Sequence, residues 1–156
     1  MLRKLLMTAG VGALVAMAIG GASFASASGE GGGRTIVVIE KTTSQKFLDL
    51  GKPGPTAGDT FFFASQLWSA DRTHRVGSNH GYCVVETPPV AHCSGTVRLG
   101  AGTLEYAFQL DMSTQQPPTP AIIGGTGAFD GAEGHGTIHN LNAAGTLTRD
   151  RIVLLG

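Results

Sequence analysis

The chain has 156 residues, of which 42% are hydrophobic and only 14% charged, with eleven basic and eleven acidic side chains. A formal charge of zero gives no electrostatic case for a nucleic acid or an acidic membrane surface as partner. Two cysteines and 24 glycines complete a composition that suits a single glycine-rich domain.

The N-terminus reads first as an address. Arg3 and Lys4 precede an apolar run from Leu5 to about Ala22, and Ser23-Phe24-Ala25-Ser26-Ala27 ends it with a small-x-small pattern. This is the layout of a secretory signal peptide, 1–27, with cleavage expected before Ser28. The run is short for a membrane span and carries Thr8 and several glycines, so no stable membrane insertion is expected after cleavage. Losing Arg3 and Lys4 leaves nine basic against eleven acidic groups. Residues 28–34 (Ser-Gly-Glu-Gly-Gly-Gly-Arg) read as a flexible linker. Residues 35–156 remain, enough for one core.

Turn residues recur about every ten positions and no long stretch has helical periodicity, which predicts an all-β sandwich or barrel. Thr35–Thr42 is the first strand, with Ile36, Val38 and Glu40 on one face and Val37 and Ile39 on the other. Both faces are apolar, so Glu40 stands among apolar neighbours. Ser44–Ala57, with Gly51, Pro53, Gly54 and Pro55, reads as a long loop over the mouth of a pocket. Thr60–Ala70 is the second strand, in which Phe61, Phe63, Ser65 and Leu67 alternate with Phe62, Ala64, Gln66 and Trp68. Asp71–Asn79 reads as an exposed connection or short strand.

Gly81–Thr87 and His92–Leu99 flank Pro88-Pro89 as a hairpin. Centring it on Pro88 sets Cys83 opposite Cys93, and opposed Cα atoms about 4.5–5.5 Å apart lie within disulfide reach. A secreted chain with two cysteines most simply pairs them. Thr103–Leu110 alternates cleanly, with Leu104, Tyr106, Phe108 and Leu110 on the core side. Met112–Pro120 is a polar, proline-rich loop. Gly134–Leu141 carries Glu133, His135, Thr137 and His139 on one face, and Gly145–Leu155 closes the sheet.

Between these last strands lies Ala121–Gly136, with six glycines in sixteen residues. The dinucleotide pattern Gly-x-Gly-x-x-Gly fails, because Asp130 stands where its third glycine belongs, and the later glycines make a following helix untenable. A sharp bend between two strands, as at a barrel corner, fits better. Ala-Ile-Ile-Gly-Gly-Thr-Gly-Ala-Phe-Asp-Gly-Ala-Glu-Gly (121–134) resembles the glycine signature shared by dirigent proteins and allene oxide cyclases. Gly58-Asp59 with its aromatic-rich strand, Val76-Gly77 and Gly81-Tyr82-Cys83-Val84-Val85 follow in the allene oxide cyclase order, so the resemblance covers about Glu40 to Leu141. It implies an eight-stranded antiparallel β-barrel, a homotrimer or homodimer, with a cavity for a hydrophobic or phenolic small molecule and no cofactor. The chain departs from that pattern at Ser65 (an asparagine in the family), near Leu110 and Met112 (a tyrosine) and near Asp49 (a proline). The implied property is therefore the barrel and its apolar cavity rather than allene oxide cyclisation itself.

The resemblance also points to Glu40 and Cys83. A carboxylate among apolar side chains has its charged form disfavoured, which suits proton transfer or polarisation of a substrate; a salt-bridged glutamate is the plainer alternative. A disulfide would remove Cys83 from any thiol chemistry. Val38, Phe61, Phe63, Ser65, Leu67 and Val85 complete the expected ligand pocket around Glu40. His135 and His139, four apart on a strand, stand about 13 Å apart, too far for one metal ion, and no metal site is expected. No Gly-x-Ser-x-Gly elbow supports serine catalysis. The expected protein is secreted and extracellular, binds a hydrophobic small molecule, and steers its cyclisation or coupling by shape. An isomerase or cyclase using Glu40 and a cell-surface interaction module are the alternatives.

Overall fold

A computed structural model of the protein describes residues 33–114 and 116–156. The expected signal peptide lies outside the described residues. So does most of the expected linker, whose last residue, Arg34, is the first of strand β1.

Eight strands follow one another: β1 (Arg34–Leu48), β2 (Thr60–Ser69), β3 (Arg75–Thr87), β4 (Val90–Leu99), β5 (Gly102–Asp111), β6 (Ala121–Gly127), β7 (Gly134–Asn140) and β8 (Leu147–Leu154). Each pairs antiparallel with the next, and β8 returns to β1 to close the barrel. Closure removes the sheet edges that would otherwise offer unpaired backbone groups. Among the described residues no helix is long and apolar enough to cross a membrane.

Two elements run longer than the sequence suggests. β1 does not stop at Thr42: the register slips between Thr42 and Ser44, and Phe47 and Leu48 then pair with Phe61 and Thr60. A bulge of this kind bends a strand without ending it, so the connecting loop is residues 49–59 rather than Ser44–Ala57. The fully buried Asp59 fastens that loop by accepting the backbone N–H groups of Leu50 (2.8 Å) and Thr56 (2.7 Å). Likewise β3 begins at Arg75, inside the stretch read as a connection, because Arg75 to Asn79 extends the ladder against β2.

The interior is filled unevenly. At one pole Val38, Leu67, Leu99, Leu104, Ile152 and Leu154 form a packed cluster. Phe129 stoppers this pole. Gly127 turns the chain with φ 65°, a left-handed conformation that glycine adopts at little cost. The Phe129 N–H then bonds Thr126 O at 3.2 Å. Its ring is 2% exposed, and the Arg34 guanidinium lies 5.0 Å from its centroid. Burying such a side chain contributes about 1.5–3 kcal/mol, which explains why the glycine-rich corner carries one aromatic. Toward the other pole a smaller cluster forms around Cys83, Val85, Ala91 and Cys93. Phe63 and Phe108 touch both clusters, and a hollow remains between them.

Candidate functional site

That hollow is a cavity of about 520 Å³ in the barrel interior, inside the size range of small-molecule pockets. Its walls are mostly apolar: Phe63, Val97, Phe108, Leu110, Ile122 and Ile152. Its mouth is bordered by Thr114, Gln116 and Pro117 from the β5–β6 loop and by Ala144 and Gly145 from the β7–β8 loop. The opening exists because β6 and β7 pair at only two positions, Ala121↔His135 and Ile122↔Gly134. Beyond them the β5–β6 loop takes over as wall, with the Gly136 N–H bonded to Pro120 O at 2.7 Å.

One side of the cavity is polar. Asn79 donates through Nδ2 to both carboxyl oxygens of Glu40, at 3.1 and 3.0 Å. The Tyr106 hydroxyl donates to Asn79 Oδ1 at 2.9 Å. Asn79 on β3 reaches Glu40 on β1 across the intervening β2, where the residue opposite both Asn79 and Thr42 is the small Ser65. Tyr106 lies across β4 because residue 95 is glycine: a Cβ there would run into its ring. The ring stacks on Phe108, with centroids 6.1 Å apart. Burial holds the Tyr106 phenol above the usual tyrosine range, so it serves as a donor.

Asp150 completes the polar side. It stands on β8 opposite Val38, one inward position from Glu40, and accepts the Thr148 hydroxyl at 2.7 Å. Its carboxyl is pushed up to about 8, chiefly by burial, then by a hydrogen bond with Glu40 and the Glu40 charge, with Thr148 pulling the other way. Asp150 therefore keeps its proton near neutral pH and stands as the protonated partner beside Glu40. The arrangement can accept or deliver a proton near neutral pH, or balance positive charge on a bound molecule.

The residues singled out from the sequence are distributed over three levels. Glu40 and Phe63 line the cavity. Val38 and Leu67 belong to the packed pole below it. Phe61 and Val85 pack around the disulfide. Ser65, 3% exposed, lies on the inner wall beside Asn79, and its hydroxyl has no hydrogen-bond partner among the described residues. Cys83 faces Cys93 in register and is bonded to it, so neither is a free thiol. His135 and His139 are exposed on the outer face of β7. Asp150 and Asn79 were not among the candidates. For Asp150 the usable signal is the two-residue period of β8, which puts it on the same side as the buried Ile152 and Leu154.

No protein-family model matches the chain, and no curated protein does. Solved structures do. A pyocyanin demethylase is 30% identical, with a TM-score of 0.66 over 77% of this chain and 98% of that one. An exo-specific intermolecular Diels-Alderase, AbnU, is 14% identical with a TM-score of 0.62, over 81% of this chain and all (100%) of its own. A pterocarpan synthase dirigent protein is 16% identical with a TM-score of 0.60, over 80% and 96%. The last two share the fold.

Proposed function

We propose that this chain, which belongs to one family with the 30%-identical pyocyanin demethylase and shares the barrel fold of dirigent proteins, binds a flat, mostly apolar small molecule in the barrel cavity and controls its reaction there. The observation that carries this reading is the cavity itself: about 520 Å³, apolar on most sides, with Glu40, Asn79, Tyr106 and Asp150 gathered on one. Apolar walls supply affinity and shape; a few convergent polar groups fix orientation. Holding a reactive molecule in one conformer steers cyclisation or coupling without any covalent bond to the protein. Both cysteines are committed to the disulfide, which favours control by shape and proton transfer over thiol chemistry.

Within this reading Glu40 and Asp150 are the proton-handling groups, Asn79 is the residue that orients Glu40, and Tyr106 orients Asn79. The 30%-identical relative, named for acting on pyocyanin, supports an aromatic ligand and an enzymatic role. The disulfide and the leader-like Met1–Ala27 support an extracellular location. A homotrimer or homodimer remains the assembly we propose.

The test is a calorimetric and product-analysis screen of the mature protein against planar aromatic phenols and heteroaromatics, pyocyanin included. Binding in the micromolar range or better is expected for part of the set. For any compound that turns over, Glu40→Gln should lower turnover about 100-fold or more while leaving binding within a few-fold. Binding without turnover would reduce the protein to a carrier. Absence of binding across the set would overturn the reading.

A further inference from the structure

We propose that the cavity takes an organic cation, seated with its charge against the neighbouring carboxyls of Glu40 and Asp150. The inference rests on the cavity reading above and adds the charge class of the ligand.

The argument begins with which charges face the cavity. Glu40 and Asp150 do, and Arg151 borders it from β8. Strand alternation turns Arg151 to the exposed outer face, opposite Val37 and Thr137. The other side chains that face the cavity among the described residues are uncharged or keep their proton. β7 presents Ile138 directly opposite. From β3 comes the amide of Asn79, and from β5 the phenol of Tyr106, which stays protonated. Glu105 lies on the outer face of β5, occupied with the Thr96 hydroxyl. The mouth loop offers Thr114 and Gln116. The polar side of the cavity is thus acidic, and among the described residues no cation points into it to balance the charge.

Two ionised carboxylates facing one cavity from neighbouring strands repel, and a proton on Asp150 relieves that repulsion when nothing else does. A cation between them does the same without the proton. The exchange balances: one positive charge enters, one proton leaves to solvent, and the pair becomes fully ionised. The remaining surroundings suit a delocalised cation, since the stacked rings of Tyr106 and Phe108 and the nearby ring of Phe63 offer π faces.

The experiment compares N-methylacridinium with N-methylacridone, a neutral molecule of nearly the same shape. Each is titrated into the mature wild-type protein by calorimetry at pH 6, 7 and 8, in buffers of different protonation enthalpy. The expected result is release of close to one proton per acridinium at pH 7, with Kd falling by up to about tenfold per pH unit between 6 and 8. The acridone should release no proton and show no such slope. Asp150→Asn should abolish the proton release and the slope, and a cooperative urea unfolding transition followed through Trp68 shows that the variant is folded. Acridinium binding with no proton release, or acridone binding with acridinium rejected, overturns the charge assignment and leaves the cavity reading intact. Binding of neither molecule overturns both.

Discussion

Replacing Asp150 by asparagine should make the protein more stable at neutral pH and remove most of a pH dependence that the wild type shows. In the folded chain the Asp150 carboxyl titrates at about 8, against an ordinary value of 3.8. Between those values the folded state holds a proton that the unfolded state has lost. Stability is therefore greatest below about pH 4 as far as this group is concerned, and it declines as pH rises to about 8. At about 1.4 kcal/mol per pH unit the ceiling is about 6 kcal/mol. The cavity is open to water, which relieves part of the burial cost, so about 2–3 kcal/mol is the expected loss. Asparagine has nearly the same shape and can donate to Glu40 at every pH, so the variant avoids the loss. Urea unfolding followed through Trp68, the single tryptophan, at intervals from pH 4.5 to 8.5 gives the curve for each protein. The variant-minus-wild-type difference should be small at pH 4.5 and grow to the full amount by pH 8.5. A difference that does not change with pH would refute the proton on Asp150 and with it the assigned role of the pair.

Three other changes probe the scaffold around the site. Gly95→Ala should cost about 1–3 kcal/mol and weaken ligand binding, because the new methyl displaces the Tyr106 ring and with it the support of Asn79; thermal unfolding and calorimetry read the two effects separately. Removing the disulfide with a double Cys83→Ala, Cys93→Ala change should lower stability by about 2–3 kcal/mol in urea, and the cavity should loosen as well, since Phe63 and Phe108 lean on the disulfide cluster. Phe129→Ala should cost about 3–5 kcal/mol by opening a hole at the packed pole, while pH-linked behaviour at Asp150 stays as in the wild type.

The barrel was legible because its signals are repetitive: regularly spaced turn residues, strands apolar on both faces, and a hairpin that set two cysteines opposite each other. Glu40 was legible because it interrupts an apolar face. Asp150 was not, since Arg149-Asp150-Arg151 reads as a solvated charge run until β8 is known to continue inward through Ile152 and Leu154. Asn79 was hidden for a related reason, lying in a stretch read as a connection before β3 was seen to start at Arg75. The level of the cavity was also out of reach. Val38, Leu67 and Glu40 follow the same inward pattern, yet only Glu40 borders the hollow. What separates them is how far the Phe129 stopper and its neighbours fill the barrel, which depends on residues nearly a hundred positions away.

The stopper also fixes where the chain can be handled. Arg34 lies over Phe129 and pairs with Leu154, so the first and last strands meet at the same pole, opposite the mouth. Anything joined directly to β1 at Arg34 or to β8 at Leu154 hangs from the base of the cup and leaves its rim clear. A short bridge between residues 34 and 154 would close the backbone into a ring, and new ends could then be cut in the turns at that base without disturbing the ligand entrance.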